Sequence, residues 1–253
     1  MRIAVLADIH GNLLALEAVI RDLRACSPDL VVNLGDHLSG PLWAAETADL
    51  LISQSGWVHI RGNHDRRLVE QRPEEMGQSD RAAFERLSAT RQAWLASLAA
   101  TSRVADGVLL CHGTPEDDTE YLVEDVSGGF ARPAGPAEIR ARLGTVSGMI
   151  LCGHSHLPQH VRLEDGTLVA NPGSVGLPAY YDSEYRFPHA IESGSPEARY
   201  LLLDGSGREW QAAFRVIGYD WERAAVMADR GGRPEWGYAL RTGYAGERAR
   251  PGA

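Results

Sequence analysis

The chain has 253 residues, 44 % hydrophobic and 23 % charged, enough to bury a sizeable core as one large α/β domain or two small ones. A formal net charge of −9 argues against a general nucleic-acid or membrane-surface binder, and no run approaches the roughly 18 apolar residues of a membrane span. Three cysteines, Cys26, Cys111 and Cys152, are odd in number and lack CxxC spacing, which argues against a disulfide framework or a zinc motif.

The opening "RIAVLA" reads as a strand, "DIHGN" as a loop, and the next stretch as a helix with Leu13, Leu16, Ile20 and Leu23 at helical spacing. Asp8 interrupts the apolar run too early for a signal peptide, so a soluble, cytoplasmic protein is expected. The same grammar repeats with strand "LVVNLG", loop "GDHLSGP", helix "WAAETADLLISQ" and strand "WVHIRG". Such alternation predicts parallel βαβ units, with ligands at the carboxyl ends of the strands.

A helical stretch is predicted from about Ser79 to Ala99. Hairpins follow, with turns at Asp106-Gly107 and Asp165-Gly166 and a third in "RYLLLDGSGREWQAAFRV". The chain therefore reads as parallel at its start and antiparallel at its end. Residues 113–148, acidic and then Gly/Pro-rich, suit a lid or substrate loop as well as a surface crossover. "YYDSEYRFPHAIESGSPEA" reads as irregular, and the C-terminal part as two helical pieces. With no repeat and no convincing linker, residues 1–253 form a single predicted domain.

Five loops stand out, each directly after an apolar run: Asp8 and His10 in "DIH", Asp36 in "GD", Asn63 and His64 in "GNHD", His112 in "CHG", and His154 and His156 in "GHSH". They hold five of the nine histidines. Singly, each is a common helix cap or turn; jointly, they supply imidazole, carboxylate and amide donors without thiolate. That set suits Mn²⁺, Fe, Co²⁺, Ni²⁺ or Zn²⁺, and seven of these eight donors already exceed the needs of one ion but not of two sharing a bridging carboxylate. All 25 basic residues are arginine, which removes lysine as a nucleophile or phosphate clamp and leaves metals to attract an anionic substrate.

The order DxH, GD, GNHD, H, GHxH over residues 1 to 176 resembles the calcineurin-like metallophosphoesterase superfamily. "NPGSVG" at Asn171 to Gly176 and "RPEWGYALRTG" look like its bacterial, small phosphodiesterase-like branch rather than the protein phosphatases. The resemblance implies a four-layer α/β/β/α sandwich of two mixed sheets flanked by helices. It implies two divalent transition-metal ions, manganese foremost, with Asp8, His10 and His156 holding one, Asn63, His112 and His154 the other, and Asp36 bridging. His64 would donate a proton to the leaving oxygen while a metal-bridging hydroxide attacks phosphorus in line, with no phosphoenzyme.

This chain departs from the pattern at Ser39, where many relatives carry an Asp that orients the catalytic His; Asp65 is the expected substitute, beside Ser39 itself. Gly40 stands where protein phosphatases have Arg, which points away from phosphoproteins. Secondary candidates are His37, Arg66 as a phosphate ligand, Tyr121, and Gly173 and Ser174 as a turn beside the metals. The expected substrate is a small phosphate ester or nucleotide, with an oligomer possible. The alternatives are a nucleotide or dinucleoside-polyphosphate pyrophosphohydrolase, and an inactive scaffold of the same fold.

Overall fold

In the computed structural model, which describes residues 1–183, 185–206 and 209–246, two five-stranded sheets face each other. The first contains β1 (Arg2–Leu6), β2 (Leu30–Asn33), β3 (Val58–His59), β13 (Ala198–Ser206) and β14 (Glu209–Ile217), in the order β14-β13-β1-β2-β3. The second contains β4 (Ser102–Arg103), β5 (Leu109–Leu110), β8 (Met149–Leu151), β9 (Pro158–Arg162) and β10 (Leu168–Pro172), in the order β4-β5-β8-β10-β9. Two small hairpins pair β6 (Glu124–Asp125) with β7 (Arg132–Pro133), and β11 (Ala179–Asp182) with β12 (His189–Glu192).

Period-two alternation sorts the side chains into layers. Ile3 and Val5 of β1 and Leu201 and Leu203 of β13 meet Leu110, Leu151 and Leu168 between the sheets. Their neighbours Ala4, Leu6 and Leu202 face outward onto α1 (Leu13–Cys26) and α2 (Ala44–Ile52), where Leu16, Val19, Leu23 and Leu51 complete a second core. On the far side, Ile150 and Val169 pack on Ile139 and Leu143 of α6 (Pro136–Leu143). The expected α/β/β/α sandwich is therefore present. The remaining described α-helices are α3 (Asn63–Glu70), α4 (Gln78–Phe84), α5 (Ala89–Ala96), α7 (Trp221–Arg230) and α8 (Pro234–Thr242).

Three expectations need correction. Parallel and antiparallel pairing are not split along the chain: β1, β2 and β3 are parallel in one sheet, β5, β8 and β10 in the other, and antiparallel strands edge each set. The helix expected from Ser79 to Ala99 is two helices. A tight turn after α4 (Leu87 N to Phe84 O, 3.0 Å) leads into extended Ser88, whose hydroxyl caps α5. The stretch beginning at Tyr180 is not irregular, because it forms most of the β11–β12 hairpin. The β13–β14 hairpin is present, and its turn at residues 207 and 208 lies outside the described residues. Most of 113–148 packs on the second sheet through Leu122, Val123 and α6.

Candidate metal centre

The predicted donor loops meet at one rim of the facing sheets, and the backbone there is held in an unusual conformation. Asp8, His10, Asp36, His154 and His156 all have left-handed φ, between 50° and 71°; the only other described non-glycine residue with positive φ is Ser27. Asp and His tolerate this region better than most residues, yet each still costs about 1 kcal/mol. Such strain persists only where surrounding contacts over-determine it, and it concentrates at functional sites.

Those contacts are visible. Gly62 stands where an added Cβ would lie 2.2 Å from Asp36 Oδ1, so only glycine lets the "GNHD" loop close on the "GD" loop. The His64 amide at the start of α3 then donates to Asp36 Oδ1 at 3.0 Å, setting the carboxylate at a helix N-terminus. "NPGSVG" braces the other loops. Asn171 donates to Gly153 O (2.6 Å), Ser174 Oγ to Asp8 O (2.8 Å), and the Gly176 amide to the same Asp8 O (3.0 Å).

All seven predicted ligands come together, in two groups. Donor atoms of Asp8, His10 and His156 lie within 4.8 Å of one another, as do those of Asp36, His112 and His154. Asn63 Oδ1 is 3.0 Å from His112 Nε2. Asp36 Oδ2 lies 3.2 Å from His112 Nε2 and 3.8 Å from His10 Nε2, between the two groups.

The hydrogen bonds of the imidazoles decide whether a cation fits. His10 Nδ1 bonds to Ser39 O (2.9 Å), His112 Nδ1 to Leu34 O (2.8 Å), His156 Nδ1 to Leu177 O (2.6 Å) and His154 Nε2 to Thr119 O (2.9 Å). A carbonyl only accepts, so each of these nitrogens carries the proton and the inner nitrogen of the neutral ring is bare. His10 Nε2 and His156 Nε2 then face each other at 3.1 Å, lone pair against lone pair. Burial pushes His10 down to about 4 and His156 well below its ordinary value, so no proton relieves the contact near neutral pH. Asp8 Oδ1, fully buried 3.5 Å from His156 Nε2, has no hydrogen-bond partner. Burial pushes the Asp8 carboxyl up to about 8, with Asp36 adding to the effect. At His112, burial opposes charge, but the Asp36 carboxylate outweighs it and lifts the imidazole to about 10. Divalent cations would resolve all of these strains at once, so the donors fit the group the sequence implied.

Asp65 does not contact the His64 ring. Its carboxylate accepts from the amides of Gly62 (2.9 Å), Asp36 (2.8 Å) and His37 (3.0 Å) and bonds His37 Nδ1 at 2.7 Å, fastening the loop that carries Asp36. The orienting carboxylate is one the sequence reading missed. Asp80, in the first turn of α4, lies 2.7 Å from His64 Nδ1, and Ser39 bonds both the ring (3.3 Å) and that carboxylate. Burial alone would push the His64 imidazolium down, but Asp80 and Asp36 hold it up to about 9. Arg66 is also reassigned, since it makes a two-point pair with Asp118 at 2.7 Å.

Tyr121 lies behind the candidate metal ligands. Its ring stacks on His154 at 4.6 Å and its hydroxyl bonds His189 Nε2 (2.8 Å) and Tyr180 Oη (3.0 Å), while Tyr180 reaches His154 O (3.1 Å). This buried network fixes both the ring and the backbone of His154.

An α/β/β/α sandwich with an oxygen- and nitrogen-donor cluster at its sheet rim defines a metallophosphoesterase fold. Residues 1–188 match the calcineurin-like phosphoesterase superfamily domain, and the chain belongs to that superfamily. Across most of its length it is similar to uncharacterized protein MJ0912 of Methanocaldococcus jannaschii, 23% identical over 92% of this chain and 94% of that one. Its fold is similar to that of a metallophosphoesterase from Sphaerobacter thermophilus (TM-score 0.73, 23% identity, 96% and 99% of the two chains). It is likewise similar to hypothetical protein PH1004 from Pyrococcus horikoshii OT3 (TM-score 0.74, 18% identity, 96% and 98%). No described helix is long and apolar enough to cross a membrane.

Proposed function

We propose that this protein is a dinuclear metal-dependent phosphoesterase that hydrolyses small phosphodiesters or phosphomonoesters by direct attack of water on phosphorus. The observation that carries the reading is the convergence of seven buried donors, two of them bare imidazole nitrogens 3.1 Å apart, beside a His64–Asp80 pair. When bound, two divalent cations, with manganese favoured over iron, zinc, cobalt or nickel, would clamp phosphate oxygens and lower the pKa of the attacking water. Asp8, His10 and His156 would hold one, Asn63, His112 and His154 the other, and Asp36 would bridge them.

The chain's own contribution is position and a proton. Asp80 keeps His64 Nδ1 occupied and the ring charged, which leaves Nε2 to protonate the leaving oxygen. The Asp65 clamp and the "NPGSVG" brace hold the carboxylates in place before substrate arrives, so little reorganisation is needed. A cleft of about 1110 Å³ opens over these groups, lined by α3, the β11–β12 hairpin, α8, and Thr119 and Glu120 of the 113–148 segment. That volume also accommodates the nucleotide substrates of a pyrophosphohydrolase.

Hydrolysis of bis(p-nitrophenyl) phosphate before and after chelation is the direct test. Turnover should disappear on chelation and return with Mn²⁺. Metal-independent turnover would contradict the mechanism, and no turnover with any divalent ion would favour an inactive scaffold.

A further inference from the structure

The position of Arg67 points to an unassigned anion site on the leaving-group side of the cleft. On α3, Arg67 follows His64 by three residues and Asn63 by four, so the three side chains share one helix face, and that face lines the cleft. Arg66 is taken by Asp118, and Arg233 by Glu235 (2.5 Å) and Ser79 (3.0 Å). Arg67 forms no ion pair among the described residues, although it lies close enough to His64 and Asp80 for its charge to act on both. Arg186, on the β11–β12 side of the cleft, is also without an ion pair among the described residues and packs over Phe187. In a chain of net charge −9 these two guanidinium groups have no ion pair among the described residues and line the same cleft as His64, the residue placed on the leaving-group side.

We infer that Arg67, aided by Arg186, recognises a phosphate carried by the leaving group, so that the substrate bears a second phosphate beyond the one that reacts. A planar guanidinium fork suits phosphate and is uncompensated until that phosphate binds. The inference rests on the phosphoesterase reading and deepens it. In the reaction, the water oxygen bonds to the reacting phosphorus as the bond from phosphorus to the leaving oxygen breaks. The electron pair departs on that oxygen, which takes the proton from His64 Nε2; the attacking water gives up a proton that restores His64. The second phosphate stays attached to the leaving group. That group can be a phosphorylated alcohol, as in a phosphodiester, or phosphate itself, as in an anhydride.

Two substrate pairs separate these sources. The linear dinucleotides pApA and ApA differ only in a terminal 5′-phosphate, which rides on the leaving nucleoside when the bond from phosphorus to O3′ breaks; ADP and AMP differ by an anhydride-linked phosphate. With Mn²⁺, kcat/KM should favour the phosphate-bearing member of at least one pair by about 10- to 100-fold, the range a charge-assisted hydrogen bond provides. Arg67→Met should reduce that ratio to within about threefold of unity, mainly through KM, and Arg67→Lys should restore part of it. A pair without preference in the wild type excludes its source, and absence of preference in both pairs overturns the inference. An undiminished ratio in Arg67→Met also overturns it, provided thermal unfolding shows the variant folded. If bis(p-nitrophenyl) phosphate is hydrolysed in either case, the phosphoesterase reading survives; if no substrate is hydrolysed with any metal, both fall.

Discussion

Asp36→Asn should cost at least about 100-fold in metal affinity, more than the 10- to 100-fold typical of changes behind the ligands, and hydrolysis should fall with it. The reason is charge and place together. Asp36 Oδ2 lies 3.8 Å from His10 and 3.2 Å from His112, and an amide there removes a carboxylate charge from between the two groups, leaving Asp8, 3.5 Å from His156 and 3.9 Å from His112, as the acid they share. The metal-free protein should lose stability as well, because the Asp36 carboxylate, held against burial well below its ordinary range by His112 and His64, is the counter-charge that keeps the buried His112 imidazole charged. Thermal unfolding separates the two effects: the metal-free Tm should fall, and, independently, the rise in Tm produced by added Mn²⁺ should shrink or vanish. Metal content measured by mass spectrometry after dialysis completes the check. Unchanged content would contradict the bridging assignment.

His64→Ala should leave both cations bound and lower the hydrolysis of alkyl esters by on the order of 10² to 10⁴-fold, with a much smaller loss on nitrophenyl esters, whose leaving groups need no proton. Asp80→Asn should reproduce part of this loss. A general acid works only while protonated, so activity falls as pH rises through its pKa. The Asp80 charge raises that pKa against the pull of burial, and a neutral amide in its place would let the pKa drop, so the alkaline fall in kcat should move to lower pH. Equal losses on both ester classes, or a pH profile unmoved in Asp80→Asn, would remove His64 from the acid role and Asp80 from its positioning role.

The convergence of the candidate ligands was legible because each combines a rare donor type with a position directly after an apolar run, and strand ends at a common sheet rim converge however far apart they lie in sequence. His10 and His156 are 146 residues apart and face each other at 3.1 Å. The partner of His64 was not legible for the opposite reason. "GQSDR" reads as an ordinary helix start, and Asp80 reaches His64 only because the short loop after α3 turns α4 back over the cleft. Asp65 was misassigned through sequence adjacency. Successive residues on a helix point about 100° apart, so His64 and Asp65 at the start of α3 face different surroundings. The same rotation separates Arg66, which pairs with Asp118, from Arg67, which faces the cleft.

The strand pattern was legible where alternation was strong, as in β1 and β13. Pairing partners were not, because "RYLLLDGSGREWQAAFRV" shows that it forms a hairpin without showing that the hairpin joins the N-terminal sheet through β1. Within the β11–β12 hairpin, Asp182 and His189 bracket a turn with no short Asn-Gly or Asp-Gly signal, so its strands read as loop.

Hydrolysis as proposed depends on paired cations held between the two candidate donor groups. Anomalous diffraction at the manganese edge, on crystals grown with excess Mn²⁺, tests this most directly. Two peaks are expected, one among Asp8, His10 and His156 and one among Asn63, His112 and His154, with Asp36 within coordination distance of both. A single peak, or peaks away from these residues, would contradict it.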